Sequence, residues 1–362
     1  MIAVERVEAT VCVIPTDSPE GDGTIAWDKT TMTIVQISAG GHTGVGWTYG
    51  APECGAIVRS TLAPIVEGTD VMNVAGAWDA MVRAVRNSGR QGAIGYAISA
   101  VDVALWDLKA RVLGIPLHAL LGAQRTEVPV YASGGFTTYS SKQLDSQVEA
   151  WLEVDSTRVK IKIGESWGSR VARDIERMRQ VRERVGPNVE LFVDANGGYT
   201  AKQAIRVMRS VAELDIRWFE EPVSSDNLAG LAQVRAAVSA DVAAGEYGYD
   251  LFTLRRLCET GAVDALQADA TRCGGITEWL RVAAVAAAFN LQVSGHCAPN
   301  LHVAVAAAIP NLRHLEWFWD HDRIERLLFD GALVPSGGSV RLTDSIGSGF
   351  TLKADEVERY RI

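Results

Sequence analysis

The sequence predicts an α/β protein in which a (β/α)8 TIM-type barrel follows an N-terminal α+β domain. After residue 126, strand-like and helix-like segments alternate eight times over about 200 residues, as they do in such barrels. The first 125 residues place their strands before their helices instead. A doubly wound sheet would also alternate, but residues 134–136 lack the GxGxxG turn that usually follows its first strand. The length of 362 residues fits a barrel with an appendage, and two medium domains equally well.

The N-terminal domain, residues 1–125, is expected to contain antiparallel strands that pack against helices. A long polar loop is predicted between its first two strands, and Gly114 and Pro116 are expected to end its last helix. In chain order, the predicted elements are strands 4–14, 31–38 and 44–48, and helices 73–86 and 91–113.

The barrel is expected to occupy residues 126–325, where short apolar strands are separated by helix-like segments. Its predicted strands are 128–133, 159–163, 190–194, 217–220, 242–244, 265–268, 291–294 and 313–316. Residues 326–362 contain turn signals and short strands. We expect this segment to pack back on the N-terminal domain.

Composition excludes several classes of protein. The net charge of −9 leaves no basic footprint for nucleic acid or an anionic membrane. The longest apolar run, residues 282–289, is too short to cross a bilayer, and the N-terminus shows no signal peptide. Five cysteines without a CxxC pair indicate reduced thiols and a cytoplasmic protein. A nucleophilic Cys297 beside His296 is disfavoured, since neighbouring strand residues point to opposite faces.

Three acidic residues end or follow three consecutive predicted barrel strands. Asp194, Glu220 and Glu246 are each separated by about one strand–helix unit, so they should meet at the C-terminal end of the barrel, where barrel enzymes place their chemistry. Three carboxylates this close would repel each other strongly unless a cation lies between them. Oxygen ligands suit Mg²⁺, so these residues are the predicted metal ligands; solvated acids at strand ends are the alternative.

Two lysines and a histidine supply candidate acid–base groups. Lys160 and Lys162 are two apart on one strand and should both point into the barrel, where each would lower the other's pKa. Asp269 and His296 follow successive strands, so the carboxylate is expected to orient the imidazole ring. Ser294 lacks the GxSxG context of an activated serine, which disfavours acyl transfer.

Together these motifs resemble the enolase superfamily, most closely its mandelate racemase subgroup, along nearly the whole chain. The residues that carry the resemblance are Lys160 and Lys162 in VKIKIG, Asp194 and Asn196 in FVDANGGY, Glu220 to Pro222 in WFEEPV, Glu246, Asp269 ahead of Arg272 to Gly275, His296 in SGH, and Glu316 in HLEWF. Residues 104–122 also look like the capping-domain helix of the family. The resemblance implies a modified, enolase-like barrel whose N-terminal domain is a cap with substrate-specificity loops.

The resemblance also implies roles for these residues. The three acids would bind Mg²⁺, which would hold a substrate carboxylate and stabilise an enediolate. Lys162 would be the base on one face, with Lys160 touching the carboxylate, and His296 with Asp269 the acid or base on the other. Glu316 would donate a hydrogen bond if protonated, and Asn196 would contact the substrate or the metal shell. Asp269 stands where muconate-lactonizing and dipeptide-epimerase relatives carry a lysine, which disfavours those activities.

Several reactions could follow the same enediolate. Dehydration of a sugar acid to a 2-keto-3-deoxy acid is ranked first, with racemisation or epimerisation of a 2-hydroxy acid and lactone cycloisomerisation as alternatives. A non-catalytic binding barrel is the competing class. Candidate substrate contacts are Asp22 and Trp47 in the cap and Trp317 beside Glu316, with solvated loop charges or core packing as the alternative. The resemblance further suggests a homo-oligomer, from dimer to octamer.

Overall fold

The computed structural model describes residues 1–362 and begins with a three-stranded antiparallel sheet. Its strands are Arg6–Gly21 (β1), Ala26–Ala39 (β2) and His42–Tyr49 (β3). The prediction of a long polar loop between β1 and β2 is wrong, because the two strands stay paired beyond a register shift between Pro15 and Glu20. Only residues 22–25 form the connecting turn, so β1 and β2 make one long hairpin, called the hairpin arm below.

The helices of this cap pack on its sheet. They are Glu53–Ile57 (α1), a π-helical turn at Val58–Leu62, Ala63–Val66 (α2), Val74–Ala84 (α3), Ala93–Leu113 (α4) and Leu117–Leu120 (α5). The two predicted long helices are confirmed as α3 and α4, and Gly114 ends α4 in the left-handed conformation. Gly44 and Gly46 allow β3 to lie directly on α4, because a Cβ at either position would come within 2.3 Å of a carbonyl oxygen of that helix.

Eight parallel strands form the barrel, and the first strand pairs with the last to close it. They are Glu127–Gly134 (β4), Arg158–Lys162 (β5), Glu190–Asp194 (β6), Ile216–Glu220 (β7), Asp241–Ala244 (β8), Ala265–Ala268 (β9), Gln292–Gly295 (β10) and Leu312–Phe318 (β11). This confirms the predicted fold class. The register places Lys162 beside Asp194, and Asp194 beside Glu220, at one end of the sheet.

Helical segments connect the barrel strands. They are Ser141–Glu153 (α6), Glu165–Gly168 (α7), Val171–Val185 (α8), Ala201–Ser210 (α9), a 3₁₀ turn at Ala212–Leu214, Leu228–Arg235 (α10), Leu251–Glu259 (α11), Gly275–Ala288 (α12), Pro299–Ala306 (α13) and Trp319–Leu328 (α14). Side-chain caps begin several of them, as Ser140 does for α6 through a reciprocal bond with Gln143. None of the helices combines the length and apolar character that a membrane crossing requires.

The C-terminal residues contact both parts of the chain. Their elements are Phe329–Asp330 (β12), Ser339–Arg341 (β13), Thr351–Leu352 (β14) and Ala354–Tyr360 (α15). Strand β13 pairs antiparallel with the start of β4, while the backbone N–H of Ile362 donates to Val11 in β1 at 3.0 Å. The chain end therefore links the cap to the barrel.

Aromatic side chains fill the barrel beneath its C-terminal end. Tyr131, Phe192 and Trp218 are fully buried, and His314 lies edge-on against Tyr131 with ring centroids 4.7 Å apart. The indole N–H of Trp218 donates to Glu220 Oε2 at 2.9 Å. These aromatic side chains form a packed layer directly beneath the charged residues at the C-terminal end of the barrel.

Candidate active site

Three carboxylates meet at the C-terminal ends of β6, β7 and β8. Asp194 and Glu220 are the last residues of their strands, and Glu246 follows β8. All three are buried, and each offers an oxygen within 4.8 Å of the others. Gly245 permits this approach with a φ of +139°, since a Cβ there would lie 2.1 Å from the carbonyl oxygen of Gln267.

The electrostatics of these carboxylates suit a divalent cation. Burial and the charge of Asp194 raise the pKa of Glu220 to about 8, although Lys160 acts in the opposite direction. Oε2 of Glu246 is buried and forms no hydrogen bond of good geometry, although His296 Nε2 lies 3.2 Å away. Crowded oxygen ligands with an unpartnered lone pair are what a hard cation such as Mg²⁺ requires, so the residues present fit this metal.

Both lysines of β5 point into the barrel. Lys160 Nζ lies 2.7 Å from Glu220 Oε1 and from Glu316 Oε1, and 3.6 Å from Asp194 Oδ2. Lys162 Nζ lies 2.5 Å from Asp194 Oδ2 and is closer to the opening, with 7% of its side chain exposed. Lys160 is therefore enclosed by the carboxylates, and Lys162 is the more accessible of the two amines.

Lys160 does act to lower the pKa of Lys162, as expected, but the net pKa of each lysine is raised. Burial and the charge of Lys160 would lower the pKa of Lys162, but the carboxylate of Asp194 outweighs both and raises it. The pKa of Lys160 is likewise raised, since Glu220, Glu316 and Asp194 together outweigh its burial. The sequence shows the two like charges but does not show how closely the acids approach them.

A histidine–carboxylate pair stands on the other side of the cluster. Nδ1 of His296 lies 2.8 Å from Asp269 Oδ2, while the backbone N–H and the hydroxyl of Thr271 both donate to Oδ1 at 2.7 Å. Burial would lower the pKa of His296, but the sulfur of Cys297 and the carboxylates of Glu246 and Asp269 outweigh it and raise that pKa. The predicted pair is thus brought together, with Nε2 directed toward the carboxylates.

Glu316 is held as a carboxylate. The Ser133 hydroxyl donates to its Oε1 at 2.6 Å, and the backbone N–H of Cys297 donates to its Oε2 at 2.9 Å. Burial would raise the pKa of Glu316, but Lys160 and His296 lower it well below its usual range. Glu316 therefore accepts hydrogen bonds in this structure, and the expectation that it donates one to a substrate if protonated stays a prediction.

Asn196 lies at the edge of the cavity in a strained left-handed conformation, with φ +44°. Its backbone N–H donates to Asp194 Oδ1 at 2.9 Å, and its buried side-chain oxygen has no partner. It lines a cavity of about 430 Å³ together with Thr24, Trp167, Glu221 and Tyr247. A polar cavity beside the carboxylates has room for the hydroxyl groups of a substrate.

Of the cap residues expected at the site, only the turn at Asp22 reaches it. Asp22 Oδ1 accepts from the backbone N–H of Thr24 at 2.6 Å and of Ile25 at 2.8 Å, so this oxygen shapes the turn. The adjacent Gly23 touches the barrel: a Cβ there would lie 2.3 Å from the carbonyl oxygen of Ala195. A direct contact between Asp22 and a substrate stays a prediction.

The two tryptophans expected to line the site do not. Trp47 is 1% exposed, packs on Phe329 with ring centroids 4.6 Å apart, and donates to Glu325 Oε1 at 3.1 Å. Trp317 follows the inward-pointing Glu316 on β11 and so faces the helix layer, where it lines a separate cavity with Trp151. Both predictions are wrong. Trp47 belongs to the interface between the cap and the C-terminal segment, and Trp317 is adjacent to Glu316 on its strand and therefore points away from the barrel interior.

Sequence reasoning assigned no role to Arg272, which lies beside the site. Its guanidinium contacts Glu246 Oε1 at 3.3 Å and Asp269 Oδ2 at 3.5 Å, between the rings of Tyr96 and Tyr247. The signal that could have found it is its place three residues after Asp269, in the loop that follows a barrel strand. Arg272 thus forms ion pairs with Glu246 and Asp269, which follow the neighbouring strands β8 and β9.

Cys297 also reaches the site, contrary to the strand-alternation argument. Strand β10 ends at Gly295, and Cys297 adopts a left-handed φ of +46°. The chain therefore turns back, and the Cys297 sulfur lies 3.2 Å from His296 Nε2. Burial and Glu316 raise the pKa of this thiol to about 12, which argues against an activated nucleophile.

Fold and site together define a class: barrel enzymes that remove a proton next to a carboxylate with the help of a divalent metal. A candidate base, an acid cluster suited to a metal and a histidine–carboxylate pair lie together at the catalytic end of the barrel. The chain belongs to the mandelate racemase/muconate lactonizing enzyme family of the enolase superfamily. Residues 7–122 match the N-terminal domain of mandelate racemase and muconate lactonizing enzyme, and residues 143–357 match the enolase C-terminal domain-like family.

Several individual proteins are similar to this chain over nearly its full length. A mandelate racemase/muconate lactonizing enzyme-like protein from Rubrobacter xylanophilus is 46% identical, with a TM-score of 0.96 over 99% of this chain and 100% of that one. The 3,6-anhydro-α-L-galactonate cycloisomerase of Streptomyces coelicolor is 32% identical over 99% of both chains. L-Talarate/galactarate dehydratase of Salmonella typhimurium is 31% identical over 96% of this chain and 89% of the relative. A structure of that dehydratase, liganded with Mg and L-lyxarohydroxamate, has a TM-score of 0.91 at 30% identity and covers 100% of this chain and 93% of that one.

Proposed function

We propose that this enzyme uses Mg²⁺ to dehydrate a sugar acid to a 2-keto-3-deoxy acid. The observation that carries the proposal is the arrangement of Lys162 and His296 around one acid cluster, from strands β5 and β10, which are not neighbours in the barrel. One group can remove the α-proton while the other protonates the departing β-hydroxyl. The dehydratase among the relatives supports this choice.

Asp194, Glu220 and Glu246 would hold the metal. When bound there, Mg²⁺ supplies positive charge that stabilises negative charge accumulating on a substrate carboxylate. Asp194 lies 2.5 Å from Lys162 and keeps its amine protonated. If Asp194 served as a metal ligand, its hold on Lys162 would weaken, and neutral Lys162 could accept the α-proton at Nζ.

The remaining steps use groups of the chain itself. Lys160, fixed by Glu220 and Glu316, adds a cation near the position of the substrate carboxylate. His296 gives the proton on Nε2 to the β-hydroxyl, which leaves as water, and Asp269 stabilises the imidazolium before transfer. The resulting enol tautomerises to the 2-keto acid, so atoms and charge balance.

The same groups permit two other outcomes. If the substrate has no leaving group at the β-carbon, His296 returns a proton to the α-carbon, which is racemisation or epimerisation. If the substrate is a lactone or an anhydro sugar acid, the ring opens or migrates, as the cycloisomerase among the relatives suggests. The barrel geometry is common to all three, so the substrate decides among them.

A screen of aldonic and aldaric acids with Mg²⁺ tests the proposal. We expect a 2-keto product from at least one acid, and α-proton exchange in deuterated water that disappears in Lys162→Ala. Exchange without a 2-keto product would overturn dehydration and favour racemisation or cycloisomerisation. No exchange with any acid, in a folded protein that binds Mg²⁺, would favour the non-catalytic barrel.

Two further features belong to the proposal. We infer a cytoplasmic location, supported by five cysteines that are all free and buried. We also infer a homo-oligomer, between dimer and octamer, which the resemblance to the family suggests. Light scattering on the purified chain measures the oligomeric state, and a monodisperse monomer would contradict it.

A further inference from the structure

A second group of metal-binding atoms lies beside the carboxylate cluster and differs from it in chemistry. Nε2 of His296, Sγ of Cys297 and an oxygen of Glu316 lie within 4.8 Å of one another, and all three residues are buried. Sulfur and imidazole ligands select zinc rather than magnesium. None of the other four thiols belongs to such a cluster.

The distances within this group are close to those of a zinc site. Zinc bonds of about 2.0 to 2.3 Å at tetrahedral angles separate neighbouring ligand atoms by about 3.3 to 3.6 Å. The observed separations are 3.2 Å from Sγ to Nε2, 3.5 Å from Sγ to Glu316 Oε2, and 3.9 Å from Nε2 to Oε2. Changes of a few tenths of an ångström in side-chain position would complete the geometry.

The surroundings of these ligands also resemble those of zinc sites. Nδ1 of His296 is bonded to Asp269, the carboxylate–histidine arrangement that orients zinc-binding imidazoles. Ser133 fixes the other oxygen of Glu316 at 2.6 Å. Glu246, whose Oε2 lies 3.2 Å from Nε2, belongs to the carboxylate cluster, so the three ligands would leave the fourth zinc position to water.

We propose that His296, Cys297 and Glu316 form an inhibitory site for Zn²⁺ that is distinct from the Mg²⁺ carboxylates. On binding, Zn²⁺ displaces the thiol proton of Cys297, and any proton on Nε2, to the solvent. The Nε2 lone pair is then occupied, so His296 can neither accept nor donate a proton. Binding itself is independent of the proposed function, whereas inhibition rests on it.

Direct binding measurements test the site without any activity assay. Zn²⁺ is titrated calorimetrically into protein saturated with Mg²⁺, so that the carboxylate cluster is already occupied. We expect one tight Zn²⁺ site in the wild type and in Cys258→Ser, a matched control whose buried thiol lies on α11. Cys297→Ser should bind Zn²⁺ at least about tenfold more weakly, because even groups that only orient a ligand are worth about 10- to 100-fold. Equal Zn²⁺ affinity in the wild type and in Cys297→Ser would overturn the proposal. Failure of the Mg²⁺-saturated wild type to bind Zn²⁺ would overturn it as well.

A spectroscopic measurement on the unmodified chain removes dependence on the variant's folding. Co²⁺ added to the Mg²⁺-saturated wild type should produce a thiolate-to-cobalt charge-transfer band, which Zn²⁺ abolishes. Absence of that band would exclude Cys297 as a ligand and overturn the site. If the band appears but Zn²⁺ leaves 2-keto acid formation, the signal that needs His296, unaffected, the inhibitory role is wrong. If no acid undergoes exchange at all, the proposed function fails while the metal site stands.

Discussion

Replacing Asp269 by asparagine should separate the two proton transfers of the proposed reaction. The carboxylate is buried with its histidine and bonded to Nδ1 at 2.8 Å, while Lys162 lies across the cluster on another strand. A hydrogen bond to a charged partner is worth about 1.5 to 3 kcal/mol, and this stabilises the imidazolium. Each 1.36 kcal/mol is about tenfold in rate, so protonation by His296 should slow by about 10- to 150-fold.

The assay follows two signals in one sample. Formation of 2-keto acid reports the step that needs His296, and NMR in deuterated water reports α-proton exchange through Lys162. We expect Asp269→Asn to lose the first signal by the factor above and to retain most of the second. Asp79→Asn, an exposed change on α3, is the matched control and should alter neither. Equal loss of both signals in a folded variant would refute the division of labour between the two faces.

Three further predictions concern metal binding and stability. Glu220→Gln should abolish Mg²⁺-dependent activity, and EDTA should do the same to the wild type, as measured by product formation. Gly245→Ala should destabilise the fold by more than about 3 kcal/mol in urea unfolding, because φ is +139° and the new Cβ would lie 2.1 Å from the carbonyl oxygen of Gln267. Asp102→Asn should flatten the pH dependence of stability, since burial raises the pKa of Asp102 to about 7 despite its bonds to Thr277. The folded chain keeps that proton while the unfolded chain loses it near pH 4, so this contribution is present below pH 4 and is lost as pH rises toward 7.

Each of these has a clear contrary result. Full activity in EDTA would contradict the metal requirement. Wild-type stability of Gly245→Ala would show that the loop after β8 can move, and that its glycine does not fix Glu246. For Asp102, unfolding measured at pH 4, 5.5 and 7 gives the slope. An unchanged slope in Asp102→Asn would mean that other buried acids, such as Glu325, account for it.

The site residues that lie within or directly after strands follow from the sequence. Asp194, Glu220 and Glu316 stand in strands whose inward positions alternate regularly, so pattern and parity place them correctly. Cys297 departs from that pattern because the chain leaves β10 at Gly295 and turns left-handed. A one-residue change of backbone state reverses a side chain's direction, and strand periodicity contains no signal for it.

The predictions that failed depend on contacts between distant segments. Trp47 sits in a strand near the cap loops, yet Phe329 and Phe350 from the chain end cover it. The pKa of Lys162 depends on an ångström-scale approach of Asp194, which the separation of the two residues along the chain does not give. The sequence pattern therefore predicts which side chains come together. Whether a side chain such as Trp47 is buried, and whether an amine such as Lys162 is charged, depends on distances that the pattern does not give.

The contact of Gly23 with the carbonyl oxygen of Ala195 divides the enzyme into a fixed and a variable part. The barrel rim supplies every group proposed to move a proton, and main-chain atoms of the hairpin arm hold it to that rim: the carbonyl oxygens of Gly21 and Gly23 accept from the backbone N–H groups of Thr137 and Trp167, each at 2.8 Å. Side chains of the turn that hold no such contact, such as the exposed Ile25, can change while the arm stays in place, whereas Asp22 shapes the turn. A duplicated copy of this chain could thus acquire a new substrate by exchanging a few positions in the turn, with its chemistry inherited intact.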